Sequence, residues 1–497
     1  IAKDTGCDAI HPGYGFLSEN AEFAKACAQA GITFVGPTAE TLQTFGDKAT
    51  ARELATGNGV PVLPGSQGAI SVGEAEAFFA EHGPIMIKAI AGGGGRGMRA
   101  ITDADEISAA HGICQAEALQ GFGNGDVFVE RLLQKPRHIE IQIIGDGQGA
   151  ISHLGERECS IQRRHQKIVE IAPAPGLTAD LRDRLTQAAV TLASAVSYRN
   201  LGTFEFLVEG DEFFFIEANP RLQVEHTVTE EVWGVDLVQS QLRVAGGATL
   251  ADLELTQAQV GPPRGQAMQV RINMETIEAD GSVRPSGGVL DSFEMPSGPG
   301  IRVDSFGYAG YRTSPSYDSL LAKLIAHTNS NDFTALAQKT YRALCECRIT
   351  GLSSNISFLQ NLLRHPAFKA ESINTHFIDD HLAALVEGTD HQRLFFEPAG
   401  AEPSDGNLVG VKVDASDPLA VLSHGKTEAA AITTASNDLA GPDGTTAIPA
   451  PMQGTIVSID VAEGDDVYPG RQILVMEAMK MQHVIEAEIS GVLRQLP

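Results

Sequence analysis

Thr203-Phe204-Glu205-Phe206-Leu207-Val208-Glu209, Gly210-Asp211-Glu212, Phe213-Phe214-Phe215-Ile216-Glu217-Ala218-Asn219 is the stretch on which the fold turns. Two runs of β-formers flank a Gly-Asp-Glu break, and three residues is a common hairpin loop. That loop length sets Glu205 opposite Glu217. Opposed sheet residues hold their Cβ atoms about 4.5–5.5 Å apart, where two carboxylates repel unless a cation or proton lies between them. Mg²⁺ or Mn²⁺ meets that need. Asn219 shares the face of Glu217 by the strand's period of two and adds a neutral oxygen of the kind hard cations accept. On these residues alone, a solvated edge hairpin whose acids merely face water is an equal alternative.

Upstream, Ile85-Met86-Ile87-Lys88 reads as a buried strand leading into Gly92-Gly93-Gly94-Gly95-Arg96-Gly97. Backbone amides there have no side chains to keep phosphate oxygens away. The run also fits a GxGxxG dinucleotide pattern, but Met98-Arg99-Ala100-Ile101 reads as a strand where that fold needs a helix. A bare loop is the plain alternative; Lys88 ahead of the glycines and Arg96 among them favour a phosphate flap.

Farther out, 497 residues exceed one compact core and imply two to four domains. Short strands and Gly/Pro turns over 1–44 suggest part of an α/β domain. Residues 45–248 alternate helical and β-rich runs as an α+β unit, with a lid over about 63–132, and 249–385 form another. Composition drifts to Ala, Gly, Ser, Thr and Asp over 386–446, a tether of roughly 60 residues spanning about 40 Å if freely coiled. Residues 447–497 read as a small all-β module. A formal charge of −27 repels nucleic acid and anionic lipid. Six scattered cysteines fit a reducing cytoplasm, and neither a membrane span nor a signal peptide is legible. Opening at Ile1 and closing at Pro497, the chain reads as a fragment of a longer protein.

Asn219-Pro220-Arg221-Leu222-Gln223-Val224-Glu225-His226-Thr227-Val228-Thr229-Glu230, with Gln162-Arg163-Arg164-His165-Gln166-Lys167 and Gly92 to Met98, closely resembles the biotin carboxylases of the ATP-grasp superfamily. His11 to Gly15, Gly46-Asp47-Lys48, Pro136-Arg137-His138 and Arg271-Ile272-Asn273 extend the resemblance over residues 1 to about 385. It implies a partial N-terminal α/β domain, an ATP-grasp domain and a C-terminal biotin carboxylase domain. Lys48, Lys88, Glu130, His138, Gln162 and His165 would contact ATP, with Gly93, Gly94 and Gly95 closing over its phosphates. Arg131, Leu132 and Leu133 would sit beside Glu130 at the adenine and ribose. Glu205 and Glu217 would meet ATP through metals that they hold with Asn219. Lys167, Arg221, Gln223 and Val224 would position bicarbonate, and Glu225 would remove its proton for attack on the γ-phosphate, giving carboxyphosphate. Arg271 would stabilise the enolate oxygen of biotin. After Arg271-Ile272-Asn273 this chain has Met274-Glu275-Thr276, where the family more often has Ala-Glu-Asp. Cys159 reads as a packed, reduced cysteine rather than a nucleophile.

Glu477-Ala478-Met479-Lys480-Met481 lies between two strand-like runs and resembles the attachment site of biotin-carrier domains, which are flattened β-barrels. Lys480 would carry covalent biotin; lipoyl carriers use the same fold but usually lack the flanking methionines. The implied activity is ATP- and bicarbonate-dependent carboxylation of carrier-bound biotin in an acyl-CoA carboxylase using acetyl-CoA or propionyl-CoA. Pyruvate and urea carboxylases, another ATP-grasp ligase such as a carbamoyl-phosphate synthase half, and a silent carrier subunit are the alternatives. Expected partners are a carboxyltransferase domain or subunit, biotin protein ligase and further copies in a homo-oligomer. Only 17 residues follow Lys480, so the barrel is expected to lack its last strands and to leave open sheet edges. Inefficient biotinylation of this chain is the expected outcome in a streptavidin gel shift, and a complete shift would contradict it.

Overall fold

The computed structural model describes residues 1–66, 68–90, 98–122, 124–163, 166–313 and 317–395, then 445, 448, 450, 455–468, 471–478, 481–487 and 489–495. Two compact units emerge, Ile1–Leu394 and Phe395–Pro497. The first is built on an eight-stranded sheet. In spatial order its strands are Glu212–Asn219, Arg199–Glu209, Arg137–Asp146, Ile151–Arg163, Gln166–Ala172, Gln266–Asn273, Leu320–Thr328 and Ile301–Ser305. Every neighbouring pair is antiparallel. The sheet runs unbroken from Gln166–Ala172 into Gln266–Asn273, so strands from both sides of position 248 share it.

Strand alternation makes the sheet two-faced. Along Arg137–Asp146, Ile139, Ile141 and Ile143 enter an apolar core with Phe204 and Phe206, while His138, Glu140 and Gln142 point to the opposite face. Helix Ala179–Ala195 covers the apolar face with Leu181, Leu185, Ala189 and Leu192, recurring at helical spacing, and Thr178 caps its start. Helices Phe333–Glu346, Ile356–Arg364 and Phe377–Leu385 build a second core against the C-terminal strands, through Leu336, Leu359, Leu362 and Phe377 among others.

The expected hairpin forms, by a different route. Glu209 pairs with Glu212, so the loop is the two residues Gly210 and Asp211, with Gly210 at φ 61°. That shorter loop alone would move Glu205 off Glu217. A bulge at Ile216, between Phe215 and Glu217, restores the pairing Glu205↔Glu217. Arg199–Glu209 is also flanked by Arg137–Asp146, so it is an interior strand of the sheet.

A separate three-stranded sheet, Met98–Ile101, Ile85–Ala89 and Val127–Arg131, rests on helices Val72–His82 and Ile107–Phe122 through Ile85, Ile87, Val127 and Val129. Met98–Ile101 is a strand, as read from the sequence. The glycine run lies within 91–97, outside the described residues, as does His165. Near the N-terminus Ala9–Ile10 pairs in parallel with Thr33–Phe34 across helix Ala21–Gln29, a βαβ crossover. Past helix Phe377–Leu385 the chain stays fastened. Asn361 Nδ2 donates to the carbonyls of Leu385 and Glu387 at 3.0 and 2.9 Å, and the Leu394 amide to Cys345 at 2.8 Å. Most of the expected tether, 396–444, lies outside the described residues.

The second unit pairs Thr455–Ile459, Gln472–Ala478 and Met481–Glu486 in one antiparallel sheet, and Asp466–Val467 with Gly491–Val492. Val461, Val467, Ile473 and Ala487 form its core. Ala478 pairs with Met481; Met479 and Lys480 between them lie outside the described residues. No helix among the described residues is long and apolar enough to cross a membrane.

Gly145, in strand Arg137–Asp146, is constrained by its neighbour. A Cβ there would lie 2.1 Å from the Tyr198 carbonyl oxygen, a backbone atom that cannot swing away. Gly145→Ala is expected to destabilise the first unit by about 1–3 kcal/mol, as overpacking does. Urea unfolding reads this, and an unchanged midpoint would contradict the packing described.

Candidate active site

The polar face of the eight-stranded sheet gathers the charged side chains. Lys167 stands on strand Gln166–Ala172, opposite Gln162 of strand Ile151–Arg163. Its Nζ contacts Glu140 Oε2 at 2.5 Å, Glu225 Oε1 at 2.6 Å, Glu205 Oε1 at 3.0 Å and Gln223 Oε1 at 3.3 Å. Burial opposes charge on this amine, but the three carboxylates outweigh it and hold the ammonium well above its usual range. Glu205 also takes the amides of Asn219 at 2.8 Å and Gln223 at 3.0 Å, and its second oxygen lies 2.7 Å from His138 Nε2. Despite burial, Lys167 and His138 keep the Glu205 carboxyl well below the ordinary value. Burial likewise disfavours charge on His138, yet Glu205 raises its pKa.

Glu225 is placed by the turn into helix His226–Trp233, whose Thr227, Val228 and Thr229 are buried. It sits between Lys167 and Arg271, whose Nη2 approaches Glu225 Oε2 at 3.1 Å. Burial opposes its charge; Lys167 and then Arg271 still hold the carboxyl far below the carboxylate range. Val224 turns its carbonyl to Lys323 Nζ at 3.1 Å. Arg221 is held by the Glu19 carboxylate and by Asn219 Oδ1 at 3.2 Å. Gln162 Nε2 lies 3.3 Å from His138 Nδ1.

Lys48 opens helix Lys48–Gly57 behind the Asp47 cap and reaches Glu217 Oε2 at 2.9 Å; Glu217 raises its pKa against burial, with Glu205 and Glu130 adding to the effect. Lys88 and Glu130, on neighbouring strands of the smaller sheet, form an ion pair. Arg131 pairs with Glu212 at 3.3 Å and lies over the Phe214 ring. The Leu132 amide binds the Pro84 carbonyl at 2.8 Å, and Leu133 packs with Leu63 and Phe214. Cys159 is buried and in no disulfide, and burial pushes its thiol well above the usual range.

For a divalent cation, Glu205 and Glu217 are direct cross-strand partners. Asn219 presents its amide nitrogen to Glu205 and its oxygen to Arg221, so joining such a site requires the amide to turn over. With that turn the donor set is all oxygen, the chemistry Mg²⁺ and Mn²⁺ accept.

Several residues in this site went unread in the sequence. Glu140 and Arg157 are both fully buried and paired. Arg157 also donates to Gln142 at 2.7 Å, Thr229 at 2.9 Å and Thr203 at 3.1 Å. Glu170 holds Arg271. The missed signal was polar residues alternating with isoleucine and valine, as in His138-Ile139-Glu140-Ile141-Gln142 and in Gln269-Val270-Arg271. A polar residue at every second position of an apolar strand marks a polar inner face.

The families that match are described as "Biotin carboxylase, N-terminal domain" over residues 1–42, "Carbamoyl-phosphate synthase L chain, ATP binding domain" over 47–253, "Biotin carboxylase C-terminal domain" over 269–380, and "Biotin-requiring enzyme" over 446–497. The mitochondrial pyruvate carboxylase of Homo sapiens is 49% identical over 385 residues, 77% of this chain and 32% of that protein. The chain spans about a third of the length of the curated relatives it matches. Among solved structures, the biotin carboxylase domain of a single-chain bacterial carboxylase is 47% identical with a TM-score of 0.68, over 78% of this chain and 83% of that one. A single-chain, multi-domain long-chain acyl-CoA carboxylase is 39% identical with a TM-score of 0.66, over 98% of this chain and 42% of that one.

Next to Glu225, His226 is buried with Nδ1 2.7 Å from the Gln223 carbonyl. Burial, with Lys323 adding to it, lowers its pKa to about 4. The unfolded chain takes up this proton near the ordinary value of about 6.5 and the folded chain does not. Stability is therefore full above about 6.5 and falls by up to about 3 kcal/mol as pH drops towards 4. Urea midpoints measured across that window should fall less steeply in His226→Gln; parallel slopes would contradict the assignment.

Proposed function

The chain belongs to the biotin carboxylase family, and from that premise we propose that it uses ATP and bicarbonate to carboxylate biotin carried on its own Lys480. The observation that carries this reading is Glu225 set between Lys167 and Arg271, beside the opposed acids Glu205 and Glu217. A cationic nest next to a metal-binding pair suits an anionic nucleophile attacking a polyphosphate.

In this reading Lys48, Lys88 and His138 neutralise and orient the ATP phosphates, with Gln162, His165 and the Gly93 to Gly95 flap. Glu130, Arg131, Leu132 and Leu133 bound the adenine and ribose. Glu205, Glu217 and Asn219 would hold Mg²⁺ or Mn²⁺, which supplies positive charge to the phosphates when bound. Lys167, Arg221, Gln223 and Val224 fix bicarbonate. Glu225 accepts its proton as the bicarbonate oxygen attacks the γ-phosphorus, giving carboxyphosphate and ADP. A carboxylate held so far down by Lys167 and Arg271 is a poor base. An incoming anion that draws those cations to itself would raise its proton affinity at the moment of need. Biotin, when present, would supply the ureido nitrogen that takes up the carboxyl group as the carboxyphosphate C–O bond breaks; the phosphate released would accept the ureido proton, and Arg271 would donate to the ureido oxygen that gains negative charge.

The named ATP-grasp rival, a carbamoyl-phosphate synthase half, is disfavoured by the two biotin carboxylase families at 1–42 and 269–380 and the biotin-requiring family at 446–497. For the final acceptor, identity to pyruvate carboxylase favours pyruvate. The alignment with a long-chain acyl-CoA carboxylase, which runs over 98% of this chain, favours an acyl-CoA. The narrower expectation of acetyl-CoA or propionyl-CoA has neither support. The six cysteines form no disulfide with one another, in keeping with a reducing compartment such as the cytoplasm, although the human relative is named as mitochondrial.

Bicarbonate-dependent ATP hydrolysis with free biotin tests the reading. Glu225→Gln should lower turnover by roughly 10²–10⁴-fold, the range for loss of a general base, with ATP affinity kept. Glu217→Gln should raise the Mg²⁺ concentration needed for half-maximal rate. Lys480→Arg should abolish self-carboxylation and leave the free-biotin reaction intact. Unimpaired turnover in Glu225→Gln would overturn the proposal.

A further inference from the structure

Arg271 stands between two carboxylates, and their grip on it is unequal. Glu170, fully buried on the neighbouring strand Gln166–Ala172, takes its Nε at 2.6 Å and its Nη2 at 2.5 Å. Glu225 takes only Nη2, at 3.1 Å. Two guanidinium nitrogens converging on one carboxylate oxygen, Glu170 Oε1, restrain the group more than the single longer contact to Glu225 does.

Glu170 is itself held from behind. Gln269 Nε2 donates to its other oxygen at 2.9 Å, and the Thr227 hydroxyl donates to Gln269 Oε1. Gln269 and Thr227 are fully buried. Gln269 shares a strand face with Arg271, two residues away, and Thr227 follows Glu225 by two residues at the start of its helix. The chain Thr227–Gln269–Glu170–Arg271 thus leaves the helix that carries Glu225 and returns to Glu225 through the guanidinium.

We propose that Glu170, braced by Gln269 and Thr227, is a positioning residue that limits the Arg271 guanidinium to a single contact with Glu225 and keeps it aimed at the substrate oxygen. Without it, the low-dielectric interior would draw Arg271 into a close pair with Glu225, spoiling the base and withdrawing the donor together. A plain core ion pair would serve stability alone. Here the carboxylate holds a residue that also touches the base, and the geometry leaves Arg271 one contact to Glu225 at 3.1 Å, with Lys167 the closer partner at 2.6 Å.

This inference rests on the role proposed above for Arg271, and the experiment separates the two. In the full chain, bicarbonate- and biotin-dependent ATP hydrolysis is measured for Glu170→Gln, Thr227→Val, Arg271→Met and the double variant Glu170→Gln/Arg271→Met. Glu170→Gln should lower kcat by roughly 10–100-fold, as loss of an orienting partner does, with KM for ATP within about twofold. Thr227→Val, a gentler change, should give a smaller loss in kcat of the same kind. Adding Glu170→Gln to Arg271→Met should produce no further loss, because Glu170 acts through that arginine. A crystal structure of Glu170→Gln, which needs no activity, should show the guanidinium moved onto Glu225. If Arg271→Met leaves turnover intact, the role of Arg271 fails and the inference falls with it. If Arg271→Met is impaired while Glu170→Gln keeps both its kcat and its arginine position, the inference alone is overturned. Additive losses in the double variant would also overturn it, since they would mean a structural role independent of Arg271.

Discussion

The buried ammonium of Lys167 is the constraint around which this molecule is arranged. An isolated amine at that depth would lose its proton or force its surroundings open. Three carboxylates within 3.0 Å keep it charged, and each of them needs further partners because one cation cannot satisfy three acids. Arg157 answers Glu140, His138 answers Glu205, and Arg271 answers Glu225. With Glu170 on Arg271, four acids meet three permanent cations and one histidine whose pKa is raised by its acid. The network approaches neutrality as a whole, though no pair within it is balanced alone.

Such a network depends on a rigid frame. Buried ion pairs add little net stability compared with well-packed apolar groups, but breaking one partner away is strongly destabilising. The frame is the antiparallel sheet, whose alternation sends isoleucine and phenylalanine to one face and the charged residues to the other. Helix Ala179–Ala195 seals the apolar side. Helix His226–Trp233 closes the polar side and brings Thr229 to Arg157 and Glu225 to Lys167. Strands from far apart in the chain meet here: Lys167 and Arg271 are brought together because Gln166–Ala172 pairs directly with Gln266–Asn273.

The hairpin Arg199–Glu209/Glu212–Asn219 shows how a correct residue pairing can rest on an incomplete reading. A three-residue loop was expected; the structure uses a two-residue loop and regains the lost step with a bulge at Ile216. Loop length and bulge trade one residue against each other, and only packing decides the exchange. Phe213 and Phe215 are buried against Phe206 and Phe204, and no local propensity could rank the two registers.

Local chemistry was legible along the chain: the hairpin strands, the strand at Met98–Ile101, the paired acids Glu205 and Glu217, and the motif from Asn219 to Glu230. These are patterns of two to twelve neighbouring residues, and short-range sterics and periodicity write them directly into the order of amino acids. The sequence by itself therefore determined which elements form and which family of sites they serve. The tertiary structure alone decided that Glu140, Arg157 and Glu170 belong to that site, and that Arg271 is shared between Glu170 and Glu225. A charge declares its role only when its partner is known, and these partners lie from 17 to 101 positions apart, joined by strand pairing that no local pattern records.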